Sequence, residues 1–190
     1  MNTPAHIVVN LLALGRGEST RRTAPIVWGS VLPDAPMVLF YVIEKLSHGL
    51  SEEEIWTRAY FDAGWQMLFD VFNSIPIALL VLAVGFRLRS RWTVWFSVSV
   101  LLHVALDFPF HHDDAHRHFF PLSDWRFQSP VSYWNPRYYG TWMAAIETLI
   151  VLAGSVVLFR RSATSLGKAL VALIGCVYAA YWAFAFVLWA

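Results

Sequence analysis

Apolar runs separated by short basic turns constrain the fold of this chain most strongly. A turn from Arg87 to Arg91 separates two of the runs, and Arg160 with Arg161 ends a third. Apolar runs bounded by charged turns are typical of helices that cross a bilayer. The sequence therefore predicts an all-α, polytopic membrane helical bundle with about four to five membrane segments. The clearest runs cover residues 74–86, 92–108, 141–159 and 169–190.

Composition supports a membrane location and excludes several kinds of partner. Charged residues make up 14% of the chain, against roughly 25% in soluble domains, and mean hydropathy is +0.50. Ten tryptophans suit a chain that meets lipid–water interfaces. A net charge of +1 argues against nucleic acid held by a general electrostatic field. Because Cys176 is the one cysteine, any metal site must use histidine and carboxylate.

Arginine placement predicts the orientation in the membrane. Arginines mark the cytoplasmic side, so the turns at 87–91 and 160–168, together with the Arg16–Arg22 stretch, are expected there. The 109–140 loop then lies on the opposite face. We interpret the chain as an integral protein of a bacterial inner membrane with this loop on the periplasmic side.

The N-terminal part is predicted to contain three less regular segments. Residues 4–14 form a helix candidate too short to span a bilayer. Prolines interrupt the apolar stretch 24–46, which predicts a broken helix. Residues 47–72 have mixed polarity, and Ser51 followed by Glu54 is a capping-box pattern, so we expect an amphipathic, interfacial helix.

The segment from His103 to Asp124 carries the strongest chemical pattern. It holds five histidines and four aspartates in 22 residues. Imidazole and carboxylate are the usual ligands of zinc, iron or manganese. His103 and Asp107 stand four residues apart at the end of a helical run, so both face one side and can hold one metal ion.

Beyond Pro109 the same segment leaves several arrangements open. An extended stretch would group His112, Asp114, His116 and His118, whereas a helical turn would pair His112 with His116. One or two ions fit either arrangement, and at least half of these groups are not expected to be ligands. The polar residues of this run are His111, His112, Asp113, Asp114, His116 and His118.

Three further residues are candidates because they are ionisable in apolar surroundings. His6 lies in the first apolar helix, and Asp34 lies between two prolines. Glu147 lies inside the 141–159 run, where it serves as a ligand, as a general base, or as the partner of an arginine such as Arg126. Asp124 is a ligand, an acceptor for a ligand histidine, or a helix cap.

Three motifs together carry a family resemblance: His6 in TPAHIVVN, the GSVLPDAP element, and HVALDFPFHH. They resemble the inner-membrane-associated metal-dependent hydrolases of the LexA-binding type, and more remotely are similar to zinc-dependent phospholipase C. A His-Ser pair of that membrane family corresponds here to Asn73-Ser74. The resemblance covers roughly residues 1–125. It implies metal ligands at His6, Asp34, His103 and Asp107.

These observations predict one integral-membrane domain, residues 1–190. Its metal site is built from 1–34 and 103–124, and its C-terminal spans lie in 141–190. We interpret the chain as a metal-dependent hydrolase, a phosphoesterase acting on lipid or lipid-linked substrates through metal-activated water. Zinc is the favoured ion, with manganese or iron as alternatives, and membrane lipid is the expected partner. The predicted ligands are His6, Asp34, His103, Asp107, His111, His112 and His116, and the predicted catalytic residues are Asp114 and Glu147.

Two other functions remain open from sequence. A metal-binding transport or sensing protein would use the His/Asp-rich loop to capture ions outside the membrane. A non-catalytic membrane protein would carry the same loop as a merely polar segment.

Overall fold

A computed structural model describes residues 1–15 and 20–189, with only the backbone described for Thr20 and for 182–189. Helices and short turns account for its regular structure, and no strand occurs within those residues. The α-helices are α1 Thr3–Leu14, α2 Thr23–Val31, α3 Ala35–Val42, α4 Glu52–Thr57, α5 Ala63–Phe72, α6 Ile75–Arg87, α7 Arg91–Asp107, α8 Gly140–Arg161 and α9 Ser165–Trp189.

Helical runs long and apolar enough to cross a membrane confirm the predicted polytopic bundle. Two further apolar helices, α1 and the described part of α9 up to Tyr181, are shorter. The predicted last span ends at residue 190, which lies outside the described residues, as do 16–19 of the basic Arg16–Arg22 stretch. The four candidate spans are Thr23–Ser47, Ala63–Arg87, Arg91–Phe110 and Gly140–Arg161.

The first span is a broken helix, as predicted. A 3-10 turn, Leu32–Asp34, joins α2 to α3, and a π-helical turn, Ile43–Ser47, follows α3. Pro33 and Pro36 lack the N–H that an unbroken α-helical ladder would need, so the ladder tightens where they stand. This break sets Asp34 halfway along a membrane-length helical run.

The amphipathic helix expected over 47–72 is wrong in its extent. The capping box at Ser51 and Glu54 is confirmed, but α4 ends at Thr57. A new helix starts at Ala63 because the Asp62 side chain accepts a hydrogen bond from the Gly64 amide. This helix continues into the next span, which therefore begins at Ala63 and not at residue 74.

Helix α7 is the centre of the bundle, and α2 approaches it closely. A Cβ atom on Gly29 would lie 2.3 Å from the Phe96 carbonyl oxygen, so only glycine allows this approach. Ser99 donates to the Ile26 carbonyl at 2.6 Å, and Asn10 of α1 donates to the Ser99 carbonyl at 2.9 Å. These bonds fix α1 and α2 against the face of α7 that carries His103.

The arginines mark one end of the bundle. The Arg22 guanidinium lies 4.7 Å from the Trp95 ring centre, so α2 begins at the same end as α7, where Arg91 stands. Both helices then run in the same direction, with Asp34 in the turn that follows α2 and Asp107 at the far end of α7. Polar residues of α1, α2 and α7 therefore meet at the end of the bundle opposite to these arginines.

Candidate metal centre

His103 and Asp107 form the rigid part of the candidate centre. Both are buried on α7, with 0% and 4% of their surface exposed. His103 Nε2 lies 3.2 Å from Asp107 Oδ2. The other ring nitrogen of His103, Nδ1, lies 2.8 Å from the Ser30 carbonyl oxygen, which can only accept. Nδ1 therefore carries a proton, and Nε2 faces the carboxylates.

Two upstream segments complete the group. His6 of α1 places Nε2 3.1 Å from Asp107 Oδ1, and its ring stacks on His103 with centres 3.5 Å apart. Asp34 Oδ1 lies 3.5 Å from His103 Nε2, and the Thr3 hydroxyl donates to Asp34 Oδ2 at 2.6 Å. All four residues that the sequence resemblance implied as ligands thus lie together.

The spacing of these atoms fits a metal ion. Ligand atoms from His6, His103 and Asp107 all lie within 4.8 Å of one another. A tetrahedral ion with bonds of about 2.05 Å sets its ligand atoms about 3.3 Å apart, and the three N–O distances are 3.1, 3.2 and 3.5 Å. The buried Nε2 of His103 makes no hydrogen bond. A buried imidazole nitrogen beside two carboxylates is stabilised by a proton or by a metal ion.

A histidine–aspartate pair stands beside this group. His111 Nδ1 lies 2.7 Å from Asp114 Oδ2, and His111 Nε2 lies 3.8 Å from Asp107 Oδ1 without a hydrogen bond. Burial disfavours the charged imidazole, but the carboxylates of Asp107 and Asp114 outweigh burial and raise the pKa of His111 to about 9. The pair can therefore hold a proton next to the centre.

The other loop histidines separate into buried and outward groups. His116 is buried with its ring centre 5.6 Å from that of His111, and burial together with the His111 charge lowers the pKa of His116 to about 4. His112 turns away, because its ring stacks on Tyr138 at 3.6 Å and its Nδ1 lies 2.6 Å from the Ser129 carbonyl oxygen.

Neither arrangement expected from sequence for this run describes the loop. The chain turns at 112–114 and bends back at residues 118–122, so it is neither a helix nor a strand. The Ser129 amide donates to the His111 carbonyl at 2.9 Å and holds the return of the loop. The structure brings His111, Asp114 and His116 towards the centre and does not bring His112 to it.

The partner predicted for Glu147 and the roles predicted for Asp124 as a helix cap or as an acceptor for a ligand histidine are wrong. Arg126 was a candidate partner of Glu147, but it donates to the Ala115 carbonyl at 2.6 Å and lies beside Asp70. Asp124 neither caps a helix nor contacts a ligand histidine. It is 88% exposed in its side chain and accepts from Arg117 at 2.6 Å.

Glu147 is buried next to the centre and not in it. Its carboxylate accepts from the Asn2 amide at 3.2 Å, from the Asn2 side chain at 2.7 Å and from the Tyr178 hydroxyl at 2.7 Å. These bonds join the start of α1 to α8 and α9. A catalytic role for Glu147 stays a prediction.

Sequence reasoning missed Asp70, which anchors the loop. Asp70 is fully buried and accepts from the backbone amide of Arg117 at 2.8 Å and from its guanidinium Nε at 2.5 Å, and Arg126 Nη2 lies 3.5 Å away. An aspartate in an apolar helix, with two arginines in the loop, was the available sign. The neighbouring Asn73-Ser74 pair also binds this loop, through His118 Nδ1 at 3.1 Å and the Phe120 carbonyl.

Comparison with known proteins identifies no relative. No protein-family model, curated protein or solved structure matches this chain. The resemblance to the LexA-binding type of membrane hydrolase therefore stays a prediction, and the properties of the centre have to be argued from its own residues.

Proposed function

We propose that this chain is a membrane-embedded, metal-dependent hydrolase, a phosphoesterase that acts on lipid or lipid-linked substrates. One observation carries the proposal. His6, His103 and Asp107 come from two separate helices and converge, buried, at a spacing that could hold one metal ion, and the partly exposed Asp34 lies 3.5 Å from His103 Nε2. Two imidazoles with two carboxylates suit zinc, and also manganese or iron.

The residues beside the centre suit hydrolysis. A bound divalent ion would lower the pKa of water and polarise a phosphoryl oxygen. In the reaction the water gives a proton to a nearby carboxylate and its oxygen bonds to phosphorus, the ester P–O bond breaks, and the leaving oxygen takes up a proton. His111, held by Asp114 through Nδ1, presents Nε2 towards Asp107 at the edge of the centre. We assign this pair to proton donation to the leaving group.

The position of the centre supports a lipid substrate. It lies in a bundle with membrane-length helices, at the end opposite to Arg22 and Arg91. Asp107 stands near the end of its span, where lipid head groups would reach the centre and acyl chains would lie along the apolar helices. With arginines on the cytoplasmic side, the centre would face the periplasm of a bacterial inner membrane.

The test is hydrolysis by purified protein in lipid nanodiscs. We expect release of a phosphomonoester or of a diacylglycerol from phospholipid, detected by mass spectrometry, and loss of this activity after dialysis against a chelator. Added zinc or manganese should restore it. His103→Gln should lower the rate at least about 100-fold.

The matched control for that variant is His48→Gln. His48 has a half-exposed ring that pairs with Glu44, away from the centre, so its loss should leave the rate unchanged. Equal rates for His103→Gln and wild type would contradict the proposal. Stoichiometric metal with no hydrolysis of any phosphoester would favour a metal-binding transport or sensing protein.

A further inference from the structure

A cavity of about 480 Å³ lies next to the metal centre. It is enclosed by the start of α1, the first turns of α8, the described part of α9 and the loop that precedes α8. This volume is within the usual range of small-molecule sites. Its walls are mainly aromatic and apolar, with one carboxylate. The residues that define its character are Tyr133, Trp134, Tyr178, Tyr181 and Glu147.

Glu147 is the unusual member of this wall. It lies seven residues into α8, roughly 10 Å along a membrane-length helix, and 4% of its surface is exposed. Its three hydrogen-bond donors, two on Asn2 and one on Tyr178, are all neutral groups. A carboxylate at membrane depth is unfavourable without a cation, so the cavity is suited to a ligand that brings a positive charge.

The aromatic rings favour the same kind of ligand. Faces of tyrosine and tryptophan attract ammonium groups, most strongly when the site is shielded from water. Trp134 and Tyr181 are more than half exposed and form the rim of the cavity, where aromatic side chains meet the membrane interface. Glu147 Oε2 accepts one long bond, from the Asn2 amide, and keeps a lone pair for an N–H donor. A primary ammonium group satisfies both features.

The cavity and the metal centre share their boundary. Asn2 binds Glu147, while the adjoining Thr3 binds Asp34 of the centre. Tyr133 lines the cavity, and its ring centre is 6.2 Å from that of His111. Burial and the negative charges of Asp107 and Glu147 raise the pKa of Tyr133, which reflects its position between the two carboxylates.

We propose that this cavity binds the primary ammonium of an ethanolamine-type phospholipid head group, with the ammonium at Glu147 and the phosphate turned towards the metal centre. The two-carbon linker of such a head group separates its ammonium from its phosphate and would bridge the shared boundary. As a substrate assignment this rests on the proposed hydrolase function, whereas as a binding site it does not.

The test is native mass spectrometry of the protein released from nanodiscs of equimolar phosphatidylethanolamine, phosphatidylcholine and phosphatidylglycerol. We expect retention of phosphatidylethanolamine at least about tenfold above phosphatidylglycerol. Glu147→Gln, which keeps the size and an acceptor oxygen but removes the charge, should abolish this preference. Glu53→Gln, at an exposed surface position, should retain it.

A second variant tests the cavity independently of Glu147. Trp134→Leu removes a ring face from an exposed loop position and should lower the preference even if Glu147→Gln misfolds. Equal retention of phosphatidylglycerol by wild type, or an unchanged preference in Glu147→Gln, would overturn the proposal. Phosphatidylcholine bound as well as phosphatidylethanolamine would overturn the choice of a primary ammonium.

Two additional measurements distinguish a lipid ligand from a soluble ester, and the cavity proposal from the proposed hydrolase function. Free phosphorylethanolamine should fail to displace the bound lipid, and full displacement would make the soluble ester the ligand instead. Metal content and hydrolysis, measured on the same samples, report on the proposed function alone. Loss of the lipid preference in Glu147→Gln, with normal metal content, reports on the cavity alone.

Discussion

Asp107 and Asp70 are two buried aspartates in apolar helices, yet their surroundings differ in kind. Asp70 is surrounded by arginine, whose guanidinium and backbone donors face its oxygens. Asp107 is surrounded by His6, His103 and His111 and also accepts from the N-terminal amino group of Met1 at 2.5 Å. Two of these rings keep a buried Nε2 without a hydrogen bond. Arginine donors satisfy Asp70, whereas the group around Asp107 also presents imidazole nitrogens that could bind a metal ion.

The neighbouring side chains distinguish a structural carboxylate from a functional one. Burial is nearly equal for Asp70 and Asp107, so it does not discriminate. Guanidinium groups have only donors, and a carboxylate beside them is satisfied directly. Imidazole can present a lone pair, and a cluster of such lone pairs beside carboxylates is a ligand set. The partners, and not the aspartate, decide the role.

The largest expected effect comes from Asp107. Asp107→Asn keeps the volume but removes the charge shared by His6 and His103, so metal affinity and hydrolysis should each fall at least about 100-fold. Metal titration of the variant in detergent checks this. The protein should remain folded, because the Asn amide oxygen still accepts from the Met1 amino group that lies 2.5 Å from Asp107 Oδ1. Wild-type metal affinity in Asp107→Asn would mean that Asp107, like Asp70, is a structural carboxylate and not a metal ligand.

Asp70→Asn should act on stability instead. Breaking a buried ion pair by removing one partner costs about 3 kcal/mol or more, because Arg117 loses a fully buried acceptor. Denaturant unfolding in detergent should show this loss, while metal stoichiometry of the folded fraction stays normal. Asp124→Asn removes the exposed partner of the same arginine and should change stability far less.

Asp114→Asn tests whether the His111–Asp114 pair beside the metal centre contributes to hydrolysis. The variant weakens the acceptor that orients His111, so we expect a loss of about 10- to 100-fold in hydrolysis. Steady-state kinetics should place this loss in kcat. His112→Gln is its control, because the His112 ring stacks on Tyr138 outside the group. An equal loss in both variants would contradict the assignment of the two histidines.

Gly29→Ala probes the packing that supports His103. The added methyl group would meet the Phe96 carbonyl and Ser99, so α2 must shift from α7. We expect a loss of about 1–3 kcal/mol in unfolding free energy, together with weaker metal binding, since Ser30 on α2 orients His103. Gly175→Ala is the matched control, as its nearest neighbour is Ser155 at an ordinary 3.5 Å.

Much of the fold and part of the site could be predicted because the relevant patterns are local. Apolar runs that end in arginines predicted the membrane helices. The four-residue spacing of His103 and Asp107 predicted that both face one side of α7. Asp34 was recognisable because an ionisable group between prolines in an apolar run needs a partner. The convergence of His6 with α7 rested on the family resemblance, since spacing alone does not relate residues so far apart.

The rest depends on long-range pairing that no local pattern encodes. Arg117 stands in the densest His/Asp run, but its partner Asp70 is 47 positions away. That bond fixes the path of the loop and thereby decides which histidines face inward. Periodicity arguments for His112 and His116 assumed a regular backbone, and the loop has none. The extent of the 47–72 helix was wrong because Asp62 starts a new helix within it.

Elemental analysis of protein extracted in mild detergent tests the central claim most directly. Wild type should contain about one zinc, manganese or iron ion per chain, bound through His6, Asp34, His103 and Asp107. The double variant His103→Gln, Asp107→Asn should contain none, and His48→Gln should match wild type. Wild-type protein that carries no such ion, and takes none up from a metal-supplemented buffer, would contradict the account.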